Sequence, residues 1–477
     1  LSFLPMAISW IWILGIMAML HIQFNVVNVI LATFIFGQGD DYTIFMTEGC
    51  QYEFAYRRKL LASYKNSIVI SALIMFIGIG TLIISKHPAL HSLAEVTIVG
   101  MFSVVLMACI FPPLIFKWMV SDRNGYRMRP FSITPFLVTC YSAAWFFAQL
   151  ATVYILGFLL FVVRRPTKKS KAFFHSYIKR CFWFDMRMIA TTKFSVHNPY
   201  GETFSKPAII VCNHQSMLDT AYLMAISDKI VIVANENASK NRIVSQVFKW
   251  MDNYSLSPDE AIDEKRIACL LAEGYSVVVF PEGERNPRSS ILRFHKGAFY
   301  LAERNKVDIV PIIIHGINHI FPRNTFCTYP GEATISIGKR IRANDNSWGT
   351  SYVSRTKSIH QYYIEEYQKL RQEKETPIYH KNLVEDRYKY KGIEVYSSVR
   401  KRMREYNSYA EWINCLTNDV AKSVFVINSG YGEFALLLAL CHPEKRVSAV
   451  ETVEDRYLVA KYSSEGVAGN PFRTVLC

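Results

Sequence analysis

Acidic residues are scarce in this chain, and closely paired cysteines are missing altogether. Its 477 residues hold 39 Asp and Glu against 54 Lys and Arg, a formal charge of +15. The ten cysteines include no C-x-x-C pair and no zinc-like spacing. That argues against a disulfide framework or a structural zinc site and points to a reduced, cytosolic environment for any soluble part. No metal is expected. No charged leader precedes the first apolar run, Leu1 is not a start methionine, and Thr474–Cys477 falls inside what reads as an unfinished domain. Both ends are therefore expected to be cut from something longer. Positive charge could suggest nucleic acid, but no reader module accompanies it, and none is expected as a partner.

What is present is unevenly spread. Hydrophobic residues make up 51% of the chain, and the long uncharged runs sit almost entirely within the first 165 residues. Four apolar segments, 3–21, 24–46, 66–86 and 91–119, each approach the ~20 residues that a bilayer requires. The loop 47–65 carries Arg57, Arg58, Lys59 and Lys65. Between Lys117 and Arg180 lie eleven Lys or Arg and one acid, Asp122. Cations beside apolar runs suit the positive-inside rule and anionic headgroups, so both basic stretches are expected on the cytoplasmic face. Lys86-His87-Pro88 then lies outside. The localisation expected is a multi-pass inner membrane protein with the later domains in the cytoplasm.

The second segment contains Gly37-Gln38-Gly39-Asp40-Asp41-Tyr42. Acids inside a membrane helix are costly and are functional candidates, although a helix end in water would explain them equally well. G-x-G-x-D-Y before an apolar run, with Asn25 and Asn28 preceding it, resembles the proton-relay helix of the MMPL/RND exporter family. The resemblance implies Asp41 as the relay acid with Tyr42 beside it. It covers about 120 residues and includes no porter domain, so the remainder of the transporter would be missing.

Residues 131–163 are 33 uncharged residues between basic flanks. A single span would carry one flank outside. A re-entrant or interfacial hairpin, bending at Pro135 and Gly157, keeps both flanks in the cytoplasm and is the expected arrangement over 121–170.

From 171 to 375 the periodicity becomes that of an α/β domain. Strands are expected at 208–212, 229–233, 277–280, 309–314 and 333–337, and helices at 241–252, 259–273 and 296–305. After the first strand comes Asn213-His214-Gln215-Ser216-Met217-Leu218-Asp219. A neutral imidazole can take a proton from an attacking hydroxyl if a carboxylate fixes its tautomer. Alone, H-x4-D is more often a surface histidine beside a helix cap. Here Phe280-Pro281-Glu282-Gly283-Glu284-Arg285, Lys296-Gly297 and Val310-Pro311-Ile312 follow it. N-H-x4-D, F-P-E-G-x-R and V-P-I in this order resemble the glycerolipid (PlsC-like, 1-acylglycerol-3-phosphate) acyltransferase family over about 180 residues. The resemblance implies His214 as general base and Asp219 as its orienter. Asn213, Glu282, Gly283, Arg285, Gly297 and Pro311 would shape the substrate site, with Arg285 on a phosphate. It also implies acyl-CoA or acyl carrier protein as donor, membrane lipid as acceptor, and no cofactor for the transfer. Two departures leave the acceptor open. Glu284 stands where the family usually has Thr, and the family's glycine-to-arginine block has no counterpart near Tyr254-Ser255-Leu256. An aryl-polyene or amino-acid lipid acceptor, or a non-catalytic docking module on a transport protein, are the alternatives.

In the tail, 376–477, a strand at 424–427 runs into Asn428-Ser429-Gly430-Tyr431-Gly432-Glu433-Phe434, then a helix, then a strand ending in Glu451. Strand, glycine turn, helix, strand and acid is nucleotide-fold logic. It resembles the opening of a class I S-adenosylmethionine methyltransferase, which implies S-adenosylmethionine at Gly430, Gly432 and Glu451. Asn428 and Phe434 depart from that pattern, and one βαβ unit only is expected. The fold class expected is thus multidomain: an α-helical membrane bundle fragment over 1–120, an α/β acyltransferase domain, and the start of a Rossmann-like α/β domain. Such trifunctional chains resemble bacterial proteins of lipid or aryl-polyene assembly.

Overall fold

The structure is a computed structural model. It describes every residue except 1–2, 23–25, 123–124, 165, 189–191, 236–241, 257–263, 287–288, 324, 417–420, 467–472 and 477. Leu1, Asn25, Cys477 and the first residues of the helices expected at 241–252 and 259–273 lie outside the described residues. The chain forms two compact units, one of residues 1–131 with 380–477 and one of residues 132–379.

The first unit begins with helices α1 (Phe3–Met19), α2 (Val26–Tyr56), α3 (Leu61–Gly80) and α4 (Pro88–Val120). Helix α2 runs straight through Asp40 and Asp41, which costs a helix little because its backbone bonds are internal. Pro88 opens α4, where its missing N–H is no loss. The tail belongs to the same unit because it shares a core with these helices: Ala55 packs in one cluster with Val384, Val399 and Leu437. Arg58, two residues past α2, pairs with Glu454 at 2.8 Å and Asp455 at 3.2 Å. The tail's three strands, 423–427, 446–451 and 473–476, are parallel and adjacent in chain order. Two βαβ crossovers are therefore present where one was expected, because Arg473–Leu476 pairs with the strand ending at Glu451.

The second unit opens with α5 (Ile133–Phe158), a continuous helix ending in a π-turn at Leu159–Val163. The expected hairpin does not form. Pro135 lies in the first turn, where it breaks no bond, and Gly157 serves packing: a Cβ there would fall 2.3 Å from the Trp250 ring. With α4 and Leu61–Ile84, residues Ile133–Val163 make three helices long and apolar enough to cross a membrane among the described residues. Helix α6 (Lys168–Met188) follows.

Seven strands then form one mixed sheet: β1 (Thr192–His197), β2 (Ala208–Cys212), β3 (Ile230–Asn235), β4 (Tyr254–Leu256), β5 (Ser276–Val279), β6 (Asp308–His315) and β7 (Gly331–Ile337). Their order is β1-β7-β6-β2-β5-β3-β4, parallel except for β6 against β7. The five expected strands all form. β1 gives no buried run in the sequence, because its Thr-Lys-Phe-Ser-Val-His alternates half-buried and exposed residues at the sheet edge. β2 and β6 are buried along their whole length, with helices on both faces, as a parallel centre requires. The chemistry is therefore expected at the carboxyl end of β2.

Candidate active site

At the carboxyl end of β2 the ladder to β6 is continued by side chains. Val211 lies opposite Pro311, which has no N–H to give. The Tyr363 hydroxyl, from the helix Tyr352–Lys374, fills the gap: it donates to the Val211 carbonyl (2.6 Å) and accepts from the Ile312 N–H (3.0 Å). Asn213 then mimics a strand residue, its Nδ2 donating to the Ile314 carbonyl (2.9 Å) and its Oδ1 accepting from the Ile314 N–H (2.7 Å). Asn213 and Pro311 are thus committed to the scaffold rather than turned toward a substrate.

The turn that follows carries His214. Its Nδ1 lies 2.7 Å from Asp219 Oδ2, and the same oxygen accepts the N–H groups of Gln215 (2.6 Å) and Ser216 (2.9 Å). Asp219 is fully buried and opens helix α7 (Asp219–Ile226), where a negative charge is favoured. An ionised carboxylate can only accept, so the imidazole proton sits on Nδ1 and Nε2 presents its lone pair. The ring stacks on Phe280 with centroids 4.3 Å apart, which fixes its plane. The imidazole is 19% exposed, so a substrate can reach it.

The loop after β5 holds His214 from the other side. Glu282 accepts the His214 N–H on one oxygen (3.0 Å) and the Leu292 N–H on the other (2.9 Å). Asn286 N–H donates to the His214 carbonyl (2.8 Å). Burial pushes the Glu282 carboxyl up to about 7 against the pull of these two backbone donors; the nearby charges of Asp219 and Glu284 push the same way. Gly283 adopts φ +74°, the turn that lets Glu282 point inward, and a Cβ there would lie 3.2 Å from the His295 ring. Arg285 and Glu284 are exposed.

Arg285 lines a cavity of about 160 Å3 together with Gln215, Ser216, Phe321 and Arg323. Arg323 arrives from beyond β6 and donates to the Arg285 carbonyl at 3.4 Å. No motif marks it in the sequence, and its nearness depends on the β2–β6 pairing. Gly297 opens the helix Gly297–Arg304 and is not among the described residues lining this cavity. Among the described residues no three His, Cys, Asp or Glu side chains converge as a metal site.

The other expected site residues lie in the first unit. Asp41 is on the outer surface of α2, while Tyr42 is turned inward, its hydroxyl 3.1 Å from Ser71 Oγ. Gly430 (φ +61°) and Gly432 (φ +79°) form the tail's turn, and a Cβ on Gly432 would meet Ala460 at 2.7 Å. Glu451 is 1% exposed and its oxygens are taken by backbone donors: Gly430 at 2.6 Å on one, Thr452 at 3.0 Å and Val453 at 3.2 Å on the other. In this arrangement it holds the glycine turn in place.

Residues 193–315 match the family described as Acyltransferase. A 1-acyl-sn-glycerol-3-phosphate acyltransferase of Cocos nucifera is 25% identical over 173 residues, 35% of this chain and 56% of the relative. The beta form of that enzyme from Homo sapiens is 26% identical over 155 residues, 31% of this chain and 56% of the relative. The chain thus spans 56% of the length of each of these curated relatives. The crystal structure of the 1-acyl-sn-glycerophosphate acyltransferase PlsC from Thermotoga maritima aligns with 50% of this chain and 96% of its own, at 20% identity and a TM-score of 0.43. The matches bear on the central region and not on the transporter-like or methyltransferase-like ends. The loops carrying His214, Asp219 and Glu282 therefore lie within the region that matches the Acyltransferase family.

Proposed function

We propose that this domain moves a fatty acyl group from acyl-CoA or acyl carrier protein to the free hydroxyl of a lysophospholipid of the 1-acylglycerol-3-phosphate kind. The observation that carries it is the 2.7 Å contact between His214 Nδ1 and a fully buried Asp219, which leaves Nε2 as a base. Nε2 takes the acceptor's hydroxyl proton as the oxygen attacks the thioester carbonyl. Asp219 stabilises the imidazolium so formed. Collapse of the tetrahedral intermediate breaks the C–S bond, and the imidazolium returns its proton to the leaving thiolate. Arg285 and Arg323 hold the acceptor phosphate, so that Arg323 supplies the cation that the sequence lacks near Tyr254.

Glu284, exposed beside Arg285, favours a second reading in which the same chemistry serves a lipid without a phosphate monoester. Both readings are tested on the full chain in membranes, with labelled acyl-CoA and acyl carrier protein as donors and lysophosphatidic acid or total lipid extract as acceptor. Product from lysophosphatidic acid that vanishes in His214→Ala supports the first reading. Product from the extract alone moves the acceptor to another lipid, and transfer undiminished in His214→Ala sinks both.

We further propose that the domain works at the cytoplasmic face of the inner membrane, as the basic flanks of the apolar helices favour. The transporter-like and methyltransferase-like readings of the ends rest on their motifs. For S-adenosylmethionine to bind at Glu451, its ribose hydroxyls must compete with three backbone donors. Equal titration curves for native chain and Glu451→Ala would remove that reading.

A further inference from the structure

The first unit contains a second cavity, of about 210 Å3, whose lining includes Arg57, Arg127, Arg387 and Lys391 but, among the described residues, a single acid, Glu465. These cations are not paired in the ordinary way. Lys391 is 2% exposed and its ammonium donates to the Ser463 hydroxyl at 2.8 Å. Arg387 is 8% exposed and gives its donors to backbone carbonyls, those of Ser463 (2.7 Å), Met128 (3.2 Å) and Glu465. Arg57 stacks on Tyr126, its guanidinium carbon 3.3 Å from the ring centroid. Its Nη2 reaches a half-exposed Glu465 carboxylate at 3.6 Å, and its Nη1 is buried without a partner. The neighbouring acids are occupied: Asp386 with Arg129 and Lys389, Glu454 and Asp455 with Arg58.

Two nearly buried cations without a carboxylate are costly, since the interior neither solvates nor neutralises them. The cost shows in their acidity: burial, with Arg387 and Arg57 adding repulsion, drives Lys391 well below the usual lysine range. Burial also brings Arg387 down to about 10. Four cations against one acid call for an anion of more than one charge. The volume is below the ~300 Å3 of sites for drug-sized ligands, which suits a headgroup-sized piece. Phe54 lies in the last turn of α2 and Arg57 just past it, and Tyr126 to Pro130 follow α4, one of the helices long enough to cross a bilayer. Phosphates lie at that depth in a membrane, and arginine and lysine clusters at helix ends recognise them.

We propose that the cavity lined by Arg57, Arg127, Arg387 and Lys391 is a binding site for a phosphate group, separate from the acyltransferase site. The phosphate belongs either to an anionic lipid headgroup or to a free phosphate ion. The site is independent of acyl transfer, so His214→Ala must bind as the native chain does.

The test uses the purified full chain and two probes: inorganic phosphate in detergent, and phosphatidylcholine nanodiscs with or without phosphatidic acid. Thermal unfolding and direct titration are read for native chain, Arg57→Gln, Lys391→Met and Lys391→Arg. Saturable stabilisation by phosphatidic acid alone assigns the headgroup, and equal stabilisation by inorganic phosphate assigns the free ion. Arg57→Gln and Lys391→Met each weaken binding about tenfold or more, as loss of one charged hydrogen bond does. Lys391→Met removes an unpaired buried charge, so without ligand it unfolds no earlier than the native chain, and Lys391→Arg keeps part of the affinity. No saturable response to either probe in the native chain, or equal affinity in Arg57→Gln and Lys391→Met, overturns the proposal.

Discussion

Two buried carboxylates stand at strand ends in this molecule, and they do different work. Asp219 follows a strand and a turn, Glu451 ends its own strand, and both accept backbone N–H groups. Asp219 spends its third contact on an imidazole that is 19% exposed, so its far nitrogen is left free for a substrate. Glu451 spends every contact on the backbone that surrounds it. A motif therefore signals chemistry when the fold leaves a reactive atom over after the backbone has been satisfied. His214 Nε2 is such an atom, and in the tail Glu451 has none to spare.

The sharpest break of that contrast is Asp219→Asn. An amide accepts the two N–H groups about as well as a carboxylate, so the turn survives. That same oxygen faces His214 Nδ1 but carries no full charge, so the imidazolium that forms when Nε2 takes the proton loses its counter-charge. The expected fall in kcat is ~10^3-fold or more, with melting temperature within a few degrees of native. A variant that unfolds together with its loss of activity would make Asp219 a structural residue like Glu451.

Glu282 offers a smaller effect with a pH signature. Its folded-state pKa of about 7 lies above the ~4.5 of an exposed glutamate, so the folded protein binds that proton more tightly than the unfolded chain. The stability it contributes is complete below the unfolded value and is lost as pH rises through 7. The loss is on the order of 3 kcal/mol. Glu282→Gln removes the titration, so its melting temperature relative to native should climb between pH 5 and pH 8. A constant difference across that range would show that burial does not govern this carboxyl. Its activity should fall at every pH, because an amide has one acceptor oxygen and its NH2 must face the other of the His214 and Leu292 donors.

Much of this was legible in the sequence where partners lie close along the chain. His214 and Asp219 are five residues apart, and their contact needs a single turn. The five buried strands announced themselves as short β-branched runs. Roles that depend on strand pairing were hidden. Asn213 could be known as a brace for Ile314, and Tyr363 as a splice beside Pro311, only once β2 lay next to β6. The basic flanks of 131–163 argued for a hairpin, but they describe the membrane face and not the helix. Gly157 was available as a hinge and is used instead to seat Trp250.

Arg323 is the residue that the sequence hid most completely and the one whose effect should be smallest. It is exposed and reaches the active-site cavity from a turn 38 residues after Arg285, with a long hydrogen bond to that residue's carbonyl. A surface guanidinium gripping a phosphate contributes to binding equally in ground and transition states, so its loss should raise KM and spare kcat. For lysophosphatidic acid, Arg323→Ala is expected to raise KM about tenfold, the size of one charged hydrogen bond in water. Arg323→Lys should recover part of it, since lysine keeps the charge without the bidentate fork. An acceptor without phosphate, such as monoacylglycerol, should show no change in KM. If Arg285→Ala raises KM for lysophosphatidic acid and Arg323→Ala does not, the phosphate is held by the motif arginine alone. If neither variant moves it, the cavity does not read phosphate, and Glu284 marks a site built for a different acceptor.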